Sequence, residues 1–382
     1  MKRAGSVSAT TFACCAVVFS ICGCALPGIH REAAGGKAPA PDAGAGDAQT
    51  PMVVERGSQH NTDTEAPPDP RSDPANLNED YATFRSLVPT QHVFAEWPMP
   101  DTSEHSKAKP SYTVSKHVVL DNVTKLRWQA KLPTIYPGCT GTYYFVDRPR
   151  GVGTGCTWEE AQAYCASPEL AEQLGGGNWR VPTKIELESL IDVSRVNAVD
   201  PLFDDFPIDS VWTSSPYPNP IVDGLKMSWQ VDFMEGMSTA RARAKASRVR
   251  CVSSASETGG STQAINFVDR VARESKTQLE WQRFPDGAPR TWRDAIKYCE
   301  ELELNGGGWH LPSFKELLTI VDSTRHEPAI NMRTLSVLPG QTYWSSSIYV
   351  NARNAVYLVE FDKGGTQFSD SFDDLRFARC VR

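Results

Sequence analysis

The sequence repeats itself, and that repetition limits the folds open to it more than any other feature. Thr124-Lys-Leu-Arg-Trp128 returns as Thr277-Gln-Leu-Glu-Trp281. Thr157-Trp-Glu-Glu-Ala161, followed by Tyr164-Cys165, returns as Thr291-Trp-Arg-Asp-Ala295 and Tyr298-Cys299. Gly175-Gly-Gly-Asn-Trp179-Arg-Val-Pro182 becomes Gly306-Gly-Gly-Trp309-His-Leu-Pro312. Ile191-Asp-Val-Ser-Arg195 becomes Val321-Asp-Ser-Thr-Arg325, and Trp212-Thr-Ser-Ser215 becomes Trp344-Ser-Ser-Ser347. Arg250-Cys-Val252 closes the first copy as Arg379-Cys-Val381 closes the second. Blocks that keep their order in this way describe one structural unit used twice. Hydrophobic residues make up 40% of the 382, enough to give both copies a core.

The repeat also sorts the cysteines. Each copy has one Cys in the Tyr-Cys block and one in the closing block, so Cys165 is expected to join Cys251 and Cys299 to join Cys380. Cys139 and Cys156 lie in an insertion found only in copy one and are expected to pair with each other. Disulfides of this kind belong to an oxidising compartment.

The N-terminus agrees with export. Lys2 and Arg3 precede an apolar stretch from Thr11 to Ile21, too short for a stable membrane span. The stretch ends in Ile21-Cys22-Gly23-Cys24, similar to a bacterial lipobox, with Cys24 as the lipid attachment site. By that reading residues 1–24 are a lipoprotein signal. Ala25 in place of Asp matches the outer-membrane sorting pattern, so the membrane contact is made through the N-terminal lipid. Residues 25–110, rich in Ala, Gly, Pro and Asp, are expected to form a disordered tether, because they cannot bury enough apolar surface to offset their ordering entropy. The two folded units are then 111–254 and 262–382.

Local signals give each unit the same elements. Thr157 with Glu160 and Thr183 with Glu186 are capping boxes that start two helices, and Ser313 with Glu316 repeats the second. Phe314, Leu317, Leu318 and Val321 form its inward stripe. Trp229, Val231 and Phe233 alternate with polar residues, as do Tyr357, Val359 and Phe361, which predicts strands. The fold class is α+β: two helices, then an antiparallel sheet, in two tandem disulfide-stapled domains.

These blocks resemble the Lcl C-terminal domain family, whose members combine Thr-Trp-x-x-Ala, Tyr-Cys, a Gly-rich turn before Trp-Arg-Leu-Pro-Thr, Tyr-Trp-Ser-Ser and Arg-Cys-Val-Arg. The resemblance implies an exported bacterial protein with small C-type-lectin-like domains. The family's named member ends a collagen-like surface adhesin that binds sulfated glycans. Here no collagen-like Gly-x-y array is present, and neither are the Glu-Pro-Asn or Trp-Asn-Asp calcium-sugar triplets.

Several residues invite chemistry. The recurring tryptophans could stack sugars, but their fixed places in the repeat point to the core. The triple glycines lack the Gly-Lys-Ser/Thr of a phosphate loop and read as tight turns. Asp192 and Asp322, with Arg195 and Arg325, suit local ion pairs. No nucleophile–base constellation is evident, so no catalysis and no cofactor or metal are expected. The mild net charge of −7 excludes a globally basic nucleic-acid binder.

One charge cluster stands out: Arg241, Arg243, Lys245, Arg248 and Arg250, with no counterpart in copy two. On an extended segment Arg241, Arg243 and Lys245 would project to one side and could engage acidic or sulfated glycans. The expectation is a non-catalytic surface-binding lipoprotein, adhesin-like, its two copies adding avidity on a repetitive polysaccharide. The alternative is a structural or assembly lipoprotein of the envelope with a protein partner; an enzyme comes last.

Overall fold

A computed structural model describes residues 94–145, 148–203, 210–222, 224–254, 265–337, 340–369 and 371–382. The expected signal, Cys24 and the tether up to residue 93 lie outside them. Among the described residues no helix is long and apolar enough to cross a membrane.

Each copy opens with a small antiparallel meander. In copy one these strands are β1 (Tyr112–Ser115), β2 (Val118–Asp121) and β3 (Leu126–Gln129); the closing strand β9 (Val252–Ser254) pairs with β3 to complete the order β1-β2-β3-β9. Copy two repeats it with β10 (Ile265–Val268), β11 (Val271–Glu274) and β12 (Glu280–Gln282). There the closing segment is reduced to bridges from Val381 to Trp281 and His310, the same two neighbours that Val252 has in Trp128 and Arg180. The insertion forms a hairpin, β4 (Gly141–Phe145) with β5 (Arg148–Gly155).

The helices are short and start where the capping boxes put them. α1 (Trp158–Cys165) follows Thr157, whose side chain accepts from the Glu160 N–H, and α3 (Lys184–Glu188) follows Thr183 in the same way. In copy two α4 (Trp292–Glu300) begins after Thr291 and α5 (Phe314–Thr319) after Ser313, which has the full box with Glu316. Copy one has an extra helix that the repeat did not announce, α2 (Pro168–Gln173), capped by Ser167 and started by a proline at its first position.

A second sheet follows in each copy: β6 (Ser210–Val222), β7 (Leu225–Asp232) and β8 (Met237–Ala242), then β13 (Thr342–Ile348), β14 (Val356–Glu360) and β15 (Thr366–Phe368). The alternating residues Trp229, Val231, Tyr357 and Val359 lie on the central strands β7 and β14, and are buried; Phe233 and Phe361, also buried, lie just beyond them. The polar alternates are also covered. Gln230 is buried because its amide is held by Ser247 and Thr239 at 3.0 and 3.2 Å. In copy one the segment after β8 covers this polar face, with Arg243 donating to Ser228 at 2.8 Å and Ser247 to Gln230.

The disulfides join Cys139 to Cys156, Cys165 to Cys251 and Cys299 to Cys380, with Cα–Cα distances of 4.9, 5.5 and 5.3 Å. Around each staple lies a local apolar cluster: Trp179, Trp212 and Leu170 in copy one; Trp309, Trp344 and Leu358 in copy two.

The copies are not independent beads. One continuous core draws on Trp128, Leu187 and Val231 from copy one and on Trp281, Leu317 and Tyr357 from copy two. Lys315 is fully buried and donates to the Glu188 and Ser189 carbonyls, both at 2.8 Å, across the junction. Tyr357 donates to the Glu235 carbonyl at 2.9 Å, and the Ser238 N–H donates to Thr366 Oγ1 at 2.7 Å. Gly236 has φ +67, and a Cβ there would meet the Tyr357 hydroxyl at 2.7 Å, so the contact requires glycine.

The tether expectation needs correction from residue 94 onward. Phe94, Ala95 and Met99 are buried, His105 stacks on His310 at 4.2 Å, and Lys107 reaches the Gln278 carbonyl at 3.3 Å. This stretch precedes copy one in sequence yet packs on copy two. Its few apolar residues, scattered among Pro, Asp and Ser, suffice because the duplicated core offers them a surface.

Candidate functional site

The Arg-rich segment does not present a cationic row. β8 ends at Ala242 and the chain turns, so Arg243 and Lys245 leave the strand geometry that would align them with Arg241. Arg243 is 4% exposed; its guanidinium lies 3.8 Å from the Trp158 ring centre and its Nε donates to Ser228 at 2.8 Å. Burial holds its pKa below the usual guanidinium range, against the pull of Glu159. Arg248 is buried against the Tyr136 hydroxyl at 3.3 Å. Arg250 donates to the carbonyls of Gln129, Ala130 and Phe203 at 2.6, 2.9 and 2.9 Å. Arg241, half-buried, caps the Ala246 carbonyl at 3.0 Å. Only Lys245 stands in solvent.

Arg250 in fact has a counterpart. Arg379 donates to the carbonyls of Gln282 and Arg283 at 2.6 and 3.3 Å and to that of Ser336. Its burial lowers its pKa to about 10. The two arginines gather backbone carbonyls from the end of the opening meander and from the stretch before the second sheet, giving buried acceptors a charged donor. A cationic cluster in the sequence therefore dissolves into structural arginines, because charge count says nothing about depth.

The other candidates settle as structure too. Trp212 and Trp344 are fully buried and donate to the carbonyls of Cys156 and Arg290, both at 2.8 Å. Trp158 and Trp292 donate to the Thr213 and Ser345 carbonyls, again at 2.8 Å. Asp192 pairs with Arg195 at 2.7 Å, while Asp322 accepts from the Thr324 hydroxyl and N–H at 2.6 and 3.1 Å. The repeat reading also missed a pair just past its first block. Gln129 and Gln282 follow the matched tryptophans, donate to Tyr164 and Tyr298 at 3.1 and 2.6 Å, and accept from the Cys251 and Cys380 N–H groups. Their identity in both copies was the available signal.

What the structure does open is a groove in copy one of about 510 Å³, between the β1–β2 hairpin, β3, the end of α2 and the first glycine of the turn. Lys116 and His117 stand exposed at the hairpin tip, and Arg127 reaches in from β3. Thr113, Ser115 and Gln173 add hydroxyl and amide groups; Val118, Leu120 and Leu174 add apolar surface; Glu172 is the one carboxylate in the lining. Lys116 has φ +50, a strained value for a lysine that the tight hairpin imposes. Gly175 and Gly176 have φ +79 and +83, and a Cβ at either would meet nothing within 4 Å, so the turn faces open space.

Arg127 is the pivot. It lies over Trp179 at 5.3 Å and makes long bonds to the Leu174 and Gly176 carbonyls, 3.3 and 3.5 Å. Among the described residues no carboxylate comes within ion-pair distance of it. The groove therefore gathers a guanidinium, a lysine amine and a histidine around hydroxyl and apolar groups, a lining suited to a polyhydroxylated anion. Among the described residues no three His, Cys, Asp or Glu side chains gather so as to hold a metal ion.

A family model described as the Lcl C-terminal domain matches residues 117–253 and, separately, 270–382. No curated protein matches the chain.

Proposed function

The chain belongs to the Lcl C-terminal domain family, and from that premise we propose a non-catalytic binding protein that takes an acidic glycan into the copy-one groove. The observation behind this is Arg127, a guanidinium without a carboxylate partner in a groove of about 510 Å³ shared with Lys116 and His117. Sulfate or carboxylate groups on a sugar would meet these side chains, while the ring's C–H face would lie on Val118, Leu120 and Leu174. We read each copy as a C-type-lectin-like unit. Three disulfides suit an extracytoplasmic site, and we place the protein on the outer membrane through lipid on Cys24.

Isothermal titration of the full oxidised chain with a sulfated oligosaccharide and a neutral dextran oligosaccharide tests the reading. The sulfated ligand is expected to bind and the neutral one not. Raising salt from 50 to 500 mM should weaken binding by about tenfold, since it screens exposed charges. Lys116→Ser with Arg127→Ser should weaken it at least as much. Binding that ignores both salt and these substitutions would sink the assignment. A stoichiometric protein partner captured with no glycan affinity would instead favour an envelope assembly role.

A further inference from the structure

Resting on that reading, we infer that copy one alone carries the ligand site, and that copy two closes the matching surface with its own side chains. The chain then takes up one glycan segment, without internal avidity.

The copies align position by position through the opening meander, where Asp121 matches Glu274 and the paired register is the same. Lys116 becomes Asp269 and Arg127 becomes Glu280, two reversals of charge. His117 and Leu120 become Arg270 and Arg273, so copy two does not lack cations. Arg270 is exposed, while Arg273 donates to Gln278 at 2.7 Å and faces the acidic residue that replaces Arg127. Glu280 accepts from Arg382 Nε at 2.8 Å and lies 3.9 Å from Arg273.

Arg382 occupies the place that Arg127 holds in copy one. Its guanidinium lies 4.6 Å from the Trp309 ring centre and donates to the carbonyls of Asn305, Gly306 and Gly307 at 3.2, 3.3 and 3.2 Å. In copy one the matching position is Ser253, so no second guanidinium is available there. An anion entering copy two would have to break the Glu280–Arg382 pair and draw the arginine off three carbonyls. In copy one it would meet Arg127 with only two long carbonyl bonds to give up. The wall differs as well: α2 (Pro168–Gln173) supplies Glu172 and Gln173 to the groove and its C-cap supplies Leu174, and residues 301–308 form no helix.

Native mass spectrometry and titration of the full chain with a short sulfated oligosaccharide decide the matter. One ligand per chain is expected. Lys116→Asp with Arg127→Glu, which writes copy two's charges into copy one, should weaken binding more than tenfold; Lys116→Asp alone, at an exposed position, should weaken it several-fold without lowering the melting temperature appreciably. Glu280→Gln should leave one site of unchanged affinity. Two equivalent ligands per chain, or one that survives the Lys116/Arg127 change, would overturn the single-copy assignment while leaving glycan binding intact. No ligand at all would overturn glycan binding itself, and this inference with it.

Discussion

In copy one the guanidinium that rests on the glycine-turn tryptophan comes from β3, as Arg127; in copy two it comes from the closing segment, as Arg382. The turn needs a donor for its exposed carbonyls, and either strand can supply one. Where the donor sits decides what remains for a ligand. Arg382 arrives with Glu280 in place of Arg127 and is neutralised; Arg127 arrives alone. Beneath the surface the copies behave differently again. Arg250 and Arg379, Gln129 and Gln282, and the tryptophan pairs Trp158/Trp292 and Trp212/Trp344 keep both identity and partners. The glutamine, arginine and tryptophan framework around the closing strand is kept in both copies, and the meander surface is where the charges reverse.

The largest test of that equivalence is the pair of matching staples. Cys165–Cys251 and Cys299–Cys380 span 86 and 81 residues. In the chain-entropy account, replacing either pair with alanine should cost about 4.5 kcal/mol, and removing the short Cys139–Cys156 link about 3 kcal/mol. Because one core draws on both copies, each loss should move a single cooperative unfolding transition. Two transitions on calorimetry, only one of them shifted, would show the copies folding separately.

The next test sets Lys184 against Lys315, buried lysines one position apart at the start of matching helices: Lys184 aligns with Phe314, and Lys315 with Ile185. Lys184 is buried 2.6 Å from an equally buried Glu188, which also accepts from Ser238 at 2.6 Å. Lys184→Met should cost about 4 kcal/mol by stranding the carboxylate, and adding Glu188→Met should restore most of it. A double variant no more stable than the single one, measured by urea denaturation, would contradict the pairing.

Much of this scaffold was legible in the sequence. Capping boxes at Thr157, Thr183 and Ser313 fixed three helix starts, since a short polar side chain followed three residues later by Glu satisfies the backbone donors there. Duplication fixed the disulfide pairing. The site was far less legible. Arg241 to Arg250 stood out as charge, yet Arg243, Arg248 and Arg250 are consumed by Ser228, by Tyr136 and by backbone carbonyls that only the folded chain brings near. The groove residues come from a hairpin tip, a neighbouring strand and the inserted α2, a set no linear motif joins. Residues 94–110 escaped because composition argues against a core of their own, while a surface donated by copy two was not visible in their composition.

The finest contrast between the copies is a pH effect. Among the described residues no carboxylate is in hydrogen-bond contact with Lys315; its ammonium donates to two carbonyls at the copy junction. Burial lowers its pKa to about 8, even though the charges of Asp101, Asp192, Glu188 and Asp121 pull the other way. An unfolded lysine titrates near ~10.4. Between those values the unfolded chain holds the proton more firmly, so folding is favoured as pH rises; below pH 8 both states are protonated and the cost of burying the charge is constant. The wild type should therefore gain about 2 kcal/mol over Lys315→Met between pH 8 and 9.5, as the ammonium gives up its proton. Urea denaturation of both proteins at those two pH values measures the difference. A gap that stays constant would mean the ammonium remains charged at the junction, held by the surrounding carboxylates more strongly than burial disfavours it.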